Sequence, residues 1–206
     1  MGTYAQGILG PFSGKVGSVV GSFWRGVYYM RALAPHVANP NTDAQKLARS
    51  LFGTASKVCR PFLTAIRKGF IAGVGESSWA LAVKANMEVI AEGVPEEYVW
   101  PVNYSKLQLS NGTENANISV SAGRDHDYDL SWVPPTDETL LDGGQVIVVL
   151  YNKANNVAQT FRFEPSAGSG TVSDSGITVG AIDEIHVYAF IGARTTSTIT
   201  QHFTFE

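Results

Sequence analysis

The stretch Asp125-His126-Asp127-Tyr128-Asp129-Leu130-Ser131-Trp132-Val133 decides the fold. His126, Tyr128, Leu130 and Trp132 alternate with Asp125, Asp127, Asp129 and Ser131, and a period of two marks a strand with one buried and one wet face. Outward from it the same period recurs, with turn residues every eight to twelve positions, at 104–110, 118–122, 145–151, 157–163, 171–179, 184–191 and 198–205. That cadence predicts a β-sandwich with Trp132 as the tryptophan between its sheets.

Upstream of residue 100 the period lengthens. Thr42 is an N-cap with Gln45 three residues on, the spacing of a capping box, and predicts a helix over 43–58. Ala44, Leu47, Ala48, Leu51, Phe52 and Ala55 form its expected buried stripe, with Lys46, Arg49, Lys57 and Arg60 on the opposite side. Pro61 opens a second helix carrying Phe62, Ile66 and Phe70, closed by Gly69, Gly73 and Gly75. A third runs over 78–92 on the stripe Trp79, Val83, Met87 and Ile90, and Gly93 with Pro95 stops it. Before these helices, seven glycines fall in the first 26 residues among Val16, Val19, Val20, Phe23, Trp24, Val27 and Tyr28. Glycine weakens an isolated strand and permits close backbone approach, so this segment reads as extended chain that docks on another surface.

The formal net charge of -3 hides a polarity. Residues 1–75 hold nine basic side chains and one acid; residues 76–206 hold six basic and seventeen acidic. Opposite signs in two parts of one chain point to an anionic partner for the first part, or to copies packed head to tail. A membrane partner is not indicated, for no run of 18 apolar residues occurs, and residues 1–10 lack the basic and apolar regions of a secretion signal. The single cysteine, Cys59, excludes a disulfide framework and multi-cysteine metal sites.

Chemistry-bearing motifs are thin. Gly10-Pro11-Phe12-Ser13-Gly14-Lys15-Val16 has one residue too few between its glycines for a phosphate loop and no hydroxyl after the lysine. Asp125, Asp127 and Asp129 match the first ligands of a calcium loop, but Leu130 and Thr136 stand where glycine and glutamate are required. What remains there is a weak candidate for a cation bridged by carboxylates, against a solvated or charge-protected strand face. His36, His126, His186 and His202 are scattered, no GxSxG is present, and Cys59 at a helix end reads as a core residue. The expectation is a protein that is not an enzyme and takes no cofactor.

Several segments resemble an uncharacterised family of bacterial and phage proteins. Residues 10–21 and Trp24-Arg25-Gly26-Val27-Tyr28-Tyr29-Met30-Arg31 resemble its opening, and Asn39-Pro40-Asn41-Thr42-Asp43-Ala44-Gln45 is similar to its NPxTxAQ helix start. Leu130-Ser131-Trp132, Val148-Val149-Leu150-Tyr151-Asn152 and Ile185-His186-Val187-Tyr188-Ala189-Phe190 resemble its Ig-like or fibronectin-III-like C-terminal half. The acidic strand near Asp125 and the C-terminal end depart from that pattern. The resemblance implies a fold and a phage-like setting, and brings no catalytic residues.

Residues and resemblance together lead to an α+β expectation: a Gly-rich β-hairpin and helical region over 1–100, then an Ig-like or fibronectin-III-like β-sandwich over 101–206. The expected function is structural, in an assembled particle such as a phage virion, as a head decoration, connector or tail component. Its expected place is the virion, or the bacterial cytoplasm before assembly. Phe12, Phe23, Trp24, Arg25, Tyr28, Arg31, Lys46, Arg49, Lys57 and Arg60 are the expected docking residues, and other protein subunits, copies of the chain included, the expected partners. Two alternatives stand beside it: nucleic-acid binding through Arg25, Arg31, Lys46, Arg49, Lys57 and Arg60, and a carbohydrate-binding sandwich using Trp100, Tyr128 or Tyr151 as stacking platforms.

Overall fold

The computed structural model describes residues 3–4, 10–34, 36, 39–122, 127–175 and 184–205. The chain forms two compact units, Met1–Thr42 and Asp43–Glu206.

The first unit is an antiparallel sheet in chain order, β1 (Thr3–Tyr4), β2 (Phe12–Val16), β3 (Val19–Trp24) and β4 (Val27–Ala32). Its connections explain the glycines. Gly17 (φ 57°) begins the two-residue loop between β2 and β3, and Arg25 (φ 49°) with Gly26 (φ 88°) forms the loop between β3 and β4. Loops of two residues need positive φ to match strand twist, and glycine supplies it without steric cost. The expected hairpin is thus a four-stranded meander.

The second unit opens with α1 (Asp43–Cys59), a 3-10 turn over Arg60–Phe62, α2 (Leu63–Gly69) and α3 (Ser78–Ala91). The sandwich follows: β5 (Ser119–Ala122), β6 (Asp127–Ser131), the short helix α4 (Glu138–Leu141), β7 (Gln145–Asn152), β8 (Val157–Phe163), β9 (Ser169–Ser173), β10 (Ile185–Gly192) and β11 (Gln201–Phe205). One sheet is β5-β6-β9 and the other β11-β10-β7-β8, all antiparallel. The chain changes sheet between β6 and β7, β8 and β9, and β9 and β10. Seven strands in a three-plus-four sandwich with these crossings are Ig-like and fibronectin-III-like, and with the helices they make the α+β fold expected.

β7 and β10 are buried along nearly their whole length, and that organises the unit. On one face Val146, Val148, Leu150, Val187, Ala189 and Ile191 meet Tyr128, Leu130, Trp132 and Val172 of the smaller sheet. On the other, Ile147, Val149, Tyr151, Tyr188 and Phe190 meet Ala55, Cys59, Phe62, Ala65, Ile66, Ala82, Val83 and Ile90. Helices, large sheet and small sheet are three layers over two shared cores. The compact unit therefore begins at Asp43, whereas the sequence reading divides the chain at 100/101; the helices bury their apolar stripes on the sheet and make no core of their own. Each fully buried aliphatic side chain contributes about 1.5–3 kcal/mol of transfer free energy.

Two sequence expectations are corrected. Residues 104–110 are not a strand: a 3-10 turn spans Tyr104–Lys106, and the following backbone is satisfied by side chains. Gln108 N donates to Asn86 Oδ1 at 2.9 Å, Asn86 Nδ2 donates to Gln108 O at 2.8 Å, and Leu109 N donates to Thr200 Oγ1 at 2.9 Å. A Cβ on Gly69 would run into the Leu109 carbonyl, so the close approach of this segment to α2 requires glycine. In α1 the packed line is half-buried Leu51 with buried Ala55 and Cys59 at four-residue spacing, while Ala44 and Ala48 are exposed and Phe52 is 55% exposed. Phe52 lies one residue round the helix from that line.

Candidate functional site

The register of the N-terminal sheet sorts the expected docking residues onto two faces. Val16 pairs with Val19, Gly14 with Gly21, Phe23 with Tyr28 and Gly21 with Met30, so Phe12, Val16, Val19, Phe23, Tyr28, Met30 and Ala32 share one face. No charged side chain lies among them. Phe23 and Tyr28 touch with ring centroids 4.5 Å apart. The other face runs Lys15, Val20 and Arg31 in one row across β2, β3 and β4, beside Trp24, Val27 and Tyr29. At the loop the Arg25 guanidinium lies 5.9 Å from the Trp24 ring centroid, within cation–π range.

Neither face is covered: Phe23 is 52% exposed, Trp24 61%, Val27 63%, Tyr28 56% and Met30 70%. Among the described residues this unit has no helix and no second sheet. A sheet of this size stabilises itself only when at least one apolar face is buried against another layer.

The helical basic residues stand differently. Arg49, Lys57 and Arg60 are exposed along one side of α1 and the turn that follows it. Lys46 is paired within its own helix to Asp43 at 3.0 Å, and Tyr98 Oη also donates to the Asp43 carboxylate at 3.0 Å. These contacts, Lys46 first, hold the Asp43 carboxyl below its ordinary value. Cys59 is buried, and burial pushes its thiol up to about 12 against an opposing hydrogen bond with Asn86, which leaves it no thiolate for chemistry.

Asp125 and His126 lie outside the described residues. Asp127 is half-buried and Asp129 exposed on the outer face of the small sheet, where Thr171 Oγ1 donates to Asp129 Oδ1 at 2.9 Å. Register places Ser119, Ser121, Ser131, Ser169, Thr171 and Ser173 around them. Among the described residues that face is built of hydroxyls and carboxylates, with no cation and no large side chain. No group of three or more His, Cys, Asp or Glu among the described residues is arranged to hold a metal ion.

Two of the three expected carbohydrate platforms, Tyr128 and Tyr151, are core residues. Tyr128 is 6% exposed and its hydroxyl donates to the buried Asp174 carboxylate at 2.7 Å; Tyr151 is 2% exposed. Trp100 is half-buried with Nε1 donating to Ser50 Oγ at 2.9 Å. Trp132 is the inter-sheet tryptophan expected, 5% exposed, with Nε1 donating to Pro165 O at 2.8 Å.

One cluster escapes the sequence reading. His186 and His202, scattered in sequence, meet across β10 and β11 with Nδ1 and Nε2 3.0 Å apart. Glu184 Oε1 lies 3.2 Å from His186 Nε2, Lys153 pairs with Glu184 at 2.9 Å, and Tyr104 stacks on His186 with centroids 5.2 Å apart. Tyr104, Lys153, Glu184 and His186 border a cleft of about 540 Å³ that Val89, Pro101 and Asn103 also line. Burial depresses both imidazoles: His186 below its usual range, His202 to about 4 with the neighbouring His186 adding to the effect. The signal was two strand histidines one hairpin apart, which only the pairing register of Tyr188 with His202 converts into contact.

By strand order and layering, the molecule is an Ig-like sandwich with a helical layer on one sheet, preceded by a separate two-faced sheet. The chain belongs to a family of unknown function, DUF6266, whose model matches residues 11–192. The match runs from before β2 to the end of β10, so both units are part of the family's pattern. A comparison with curated proteins finds no match. Among solved structures the chain is similar to the fn3 domain of human contactin 1, at 6% identity and a TM-score of 0.31, over 52% of this chain and 86% of that one.

Proposed function

We propose that the protein is a non-enzymatic structural component of an assembled particle, a phage virion being the setting its sequence resemblance suggests, and that its N-terminal sheet is the docking element. One observation carries this reading: a four-stranded sheet exposes Phe23, Trp24, Val27, Tyr28 and Met30 over both of its faces. Contiguous apolar surface of this kind marks an interaction site. Two usable faces suit a sheet held between neighbours, with aromatic anchors supplying affinity. No helix is long and apolar enough to cross a membrane among the described residues, and the reading asks for none.

The deciding experiment is light scattering of the full chain across salt concentration beside a chain lacking residues 1–38. Assembly of the full chain and a monomeric shortened chain support docking through the sheet. Two monomers, with DNA or RNA bound by the full chain alone and lost steeply with salt, would replace this reading with the nucleic-acid one.

A further inference from the structure

The geometry points to a second copy of this chain as the partner of the cationic face: Lys15 and Arg31 of one copy dock on Asp127 and Asp129, on the outer face of the small sheet, in the next. This rests on the docking reading above and specifies its partner and its patch.

Charge comes first. The Met1–Thr42 unit contains Lys15, Arg25 and Arg31 and no carboxylate, and all eighteen acidic residues lie in Asp43–Glu206. Lys15 and Arg31 flank Val20 in one row, two strand spacings or about 10 Å apart. Asp127 and Asp129 project from one face of β6, about 7 Å apart. Both pairs sit on sheet faces, so two flat surfaces of opposite sign meet, with no cation among the described residues of the acidic one.

Shape agrees with charge. The cationic face carries the bulky Trp24, Val27 and Tyr29, and the acidic face carries only short hydroxyl side chains beside its carboxylates. Long side chains opposite short ones let two sheets stack near the usual 10 Å separation. Like charge also excludes the alternative in which two cationic faces stack on each other. Because the two patches differ, each contact joins unlike surfaces, and its repetition builds a reciprocal pair, a ring or a filament.

The experiment is a charge exchange in the full chain. One variant carries Lys15→Glu and Arg31→Glu, the other Asp127→Lys and Asp129→Lys. Light scattering is expected to show assembly for the wild type, the mass of one chain for each variant alone, and recovered assembly in their equimolar mixture. In that mixture the acidic sheet of the first variant meets the basic face of the second. Wild-type assembly is expected to dissolve as salt rises toward about 1 M, where the screening length is about 3 Å. Thermal unfolding of each variant checks that it is folded, and Asp127→Ser with Asp129→Ser, matching the neighbouring serines, is the milder variant if lysines unfold the sheet. A mixture no heavier than its parts overturns the proposal, as does a monomeric wild type, which would mean that the two faces meet within one chain or not at all. A wild type that assembles, loses assembly with the hairpin changes and keeps it with the aspartate changes overturns this partner while leaving docking through the sheet intact.

Discussion

Among its described residues the chain contains two four-stranded antiparallel sheets of similar apolar content and opposite fate. In β11-β10-β7-β8 the central strands are sealed on both sides, by helices above and a second sheet below. In β1-β2-β3-β4 the last strand, Val27–Ala32, is exposed at all six positions. Apolar sequence alone does not decide burial; what decides it is whether the same compact unit supplies a covering layer. Where it does, the residues hold the fold together. Where it does not, they are available to another molecule.

The largest test of that contrast is a matched pair of charges. Val148→Asp places an unpaired carboxylate at a site with no exposure, a penalty of about 5 kcal/mol or more, comparable to the whole stability of a domain. The variant is expected to lack a cooperative melt by circular dichroism. Met30→Asp, at 70% exposure, is expected to change unfolding by no more than about 0.5 kcal/mol while weakening assembly. If both unfold the protein, the N-terminal sheet is a core element and the comparison breaks.

Asn86→Ala probes how the helical layer is tied to the sandwich. It strips the Gln108 N–H and C=O of their partners and is expected to cost about 2 kcal/mol in urea unfolding. Acid gives a somewhat smaller effect confined to the sealed sheet. His186 and His202 hold protons more weakly folded than unfolded, so the unfolded chain binds more protons between the ordinary imidazole value of 6.5 and about 4. Stability is therefore present above that window and falls as pH drops through it, by about 1–2 kcal/mol once partial exposure of His202 is allowed for. Denaturation at pH 7.5 and 4.5 checks it, and His202→Gln is expected to flatten the slope. Among the changes inside the sandwich unit the smallest effect belongs to Tyr188→Phe, which removes the 2.8 Å hydrogen bond to Tyr104 O and is expected to lower unfolding free energy by about 1 kcal/mol.

How much of this was legible in sequence follows the same division. Period-two strands, the start of α1 at Asp43 and the burial of Trp132 were readable because each rests on local pattern. The three-layer arrangement was harder, since Val146-Ile147-Val148-Val149-Leu150 is apolar at every position and such a run says only that both faces are covered, not by what. Residues 104–110 mimic a strand because Leu107 and Leu109 alternate with polar neighbours, yet their backbone partners are side chains of Asn86 and Thr200 far along the chain. Phe52 failed for a subtler reason: a stripe drawn from hydrophobicity is wider than the line of contact that packing selects. At the docking sheet, residue types were visible from the start. The sorting of Phe23 and Tyr28 to one face and Trp24 and Arg31 to the other needed the register.

The placement of tryptophan gives the molecule its own optical label. Trp24 is the one indole in the N-terminal unit and stands largely in water, while Trp132 is enclosed between the sheets of the sandwich. Emission from Trp24 should move to shorter wavelength and resist quenching by iodide when a neighbour covers it, with Trp132 unchanged until the sandwich melts. Association and unfolding thus act on different members of the chain's four indoles.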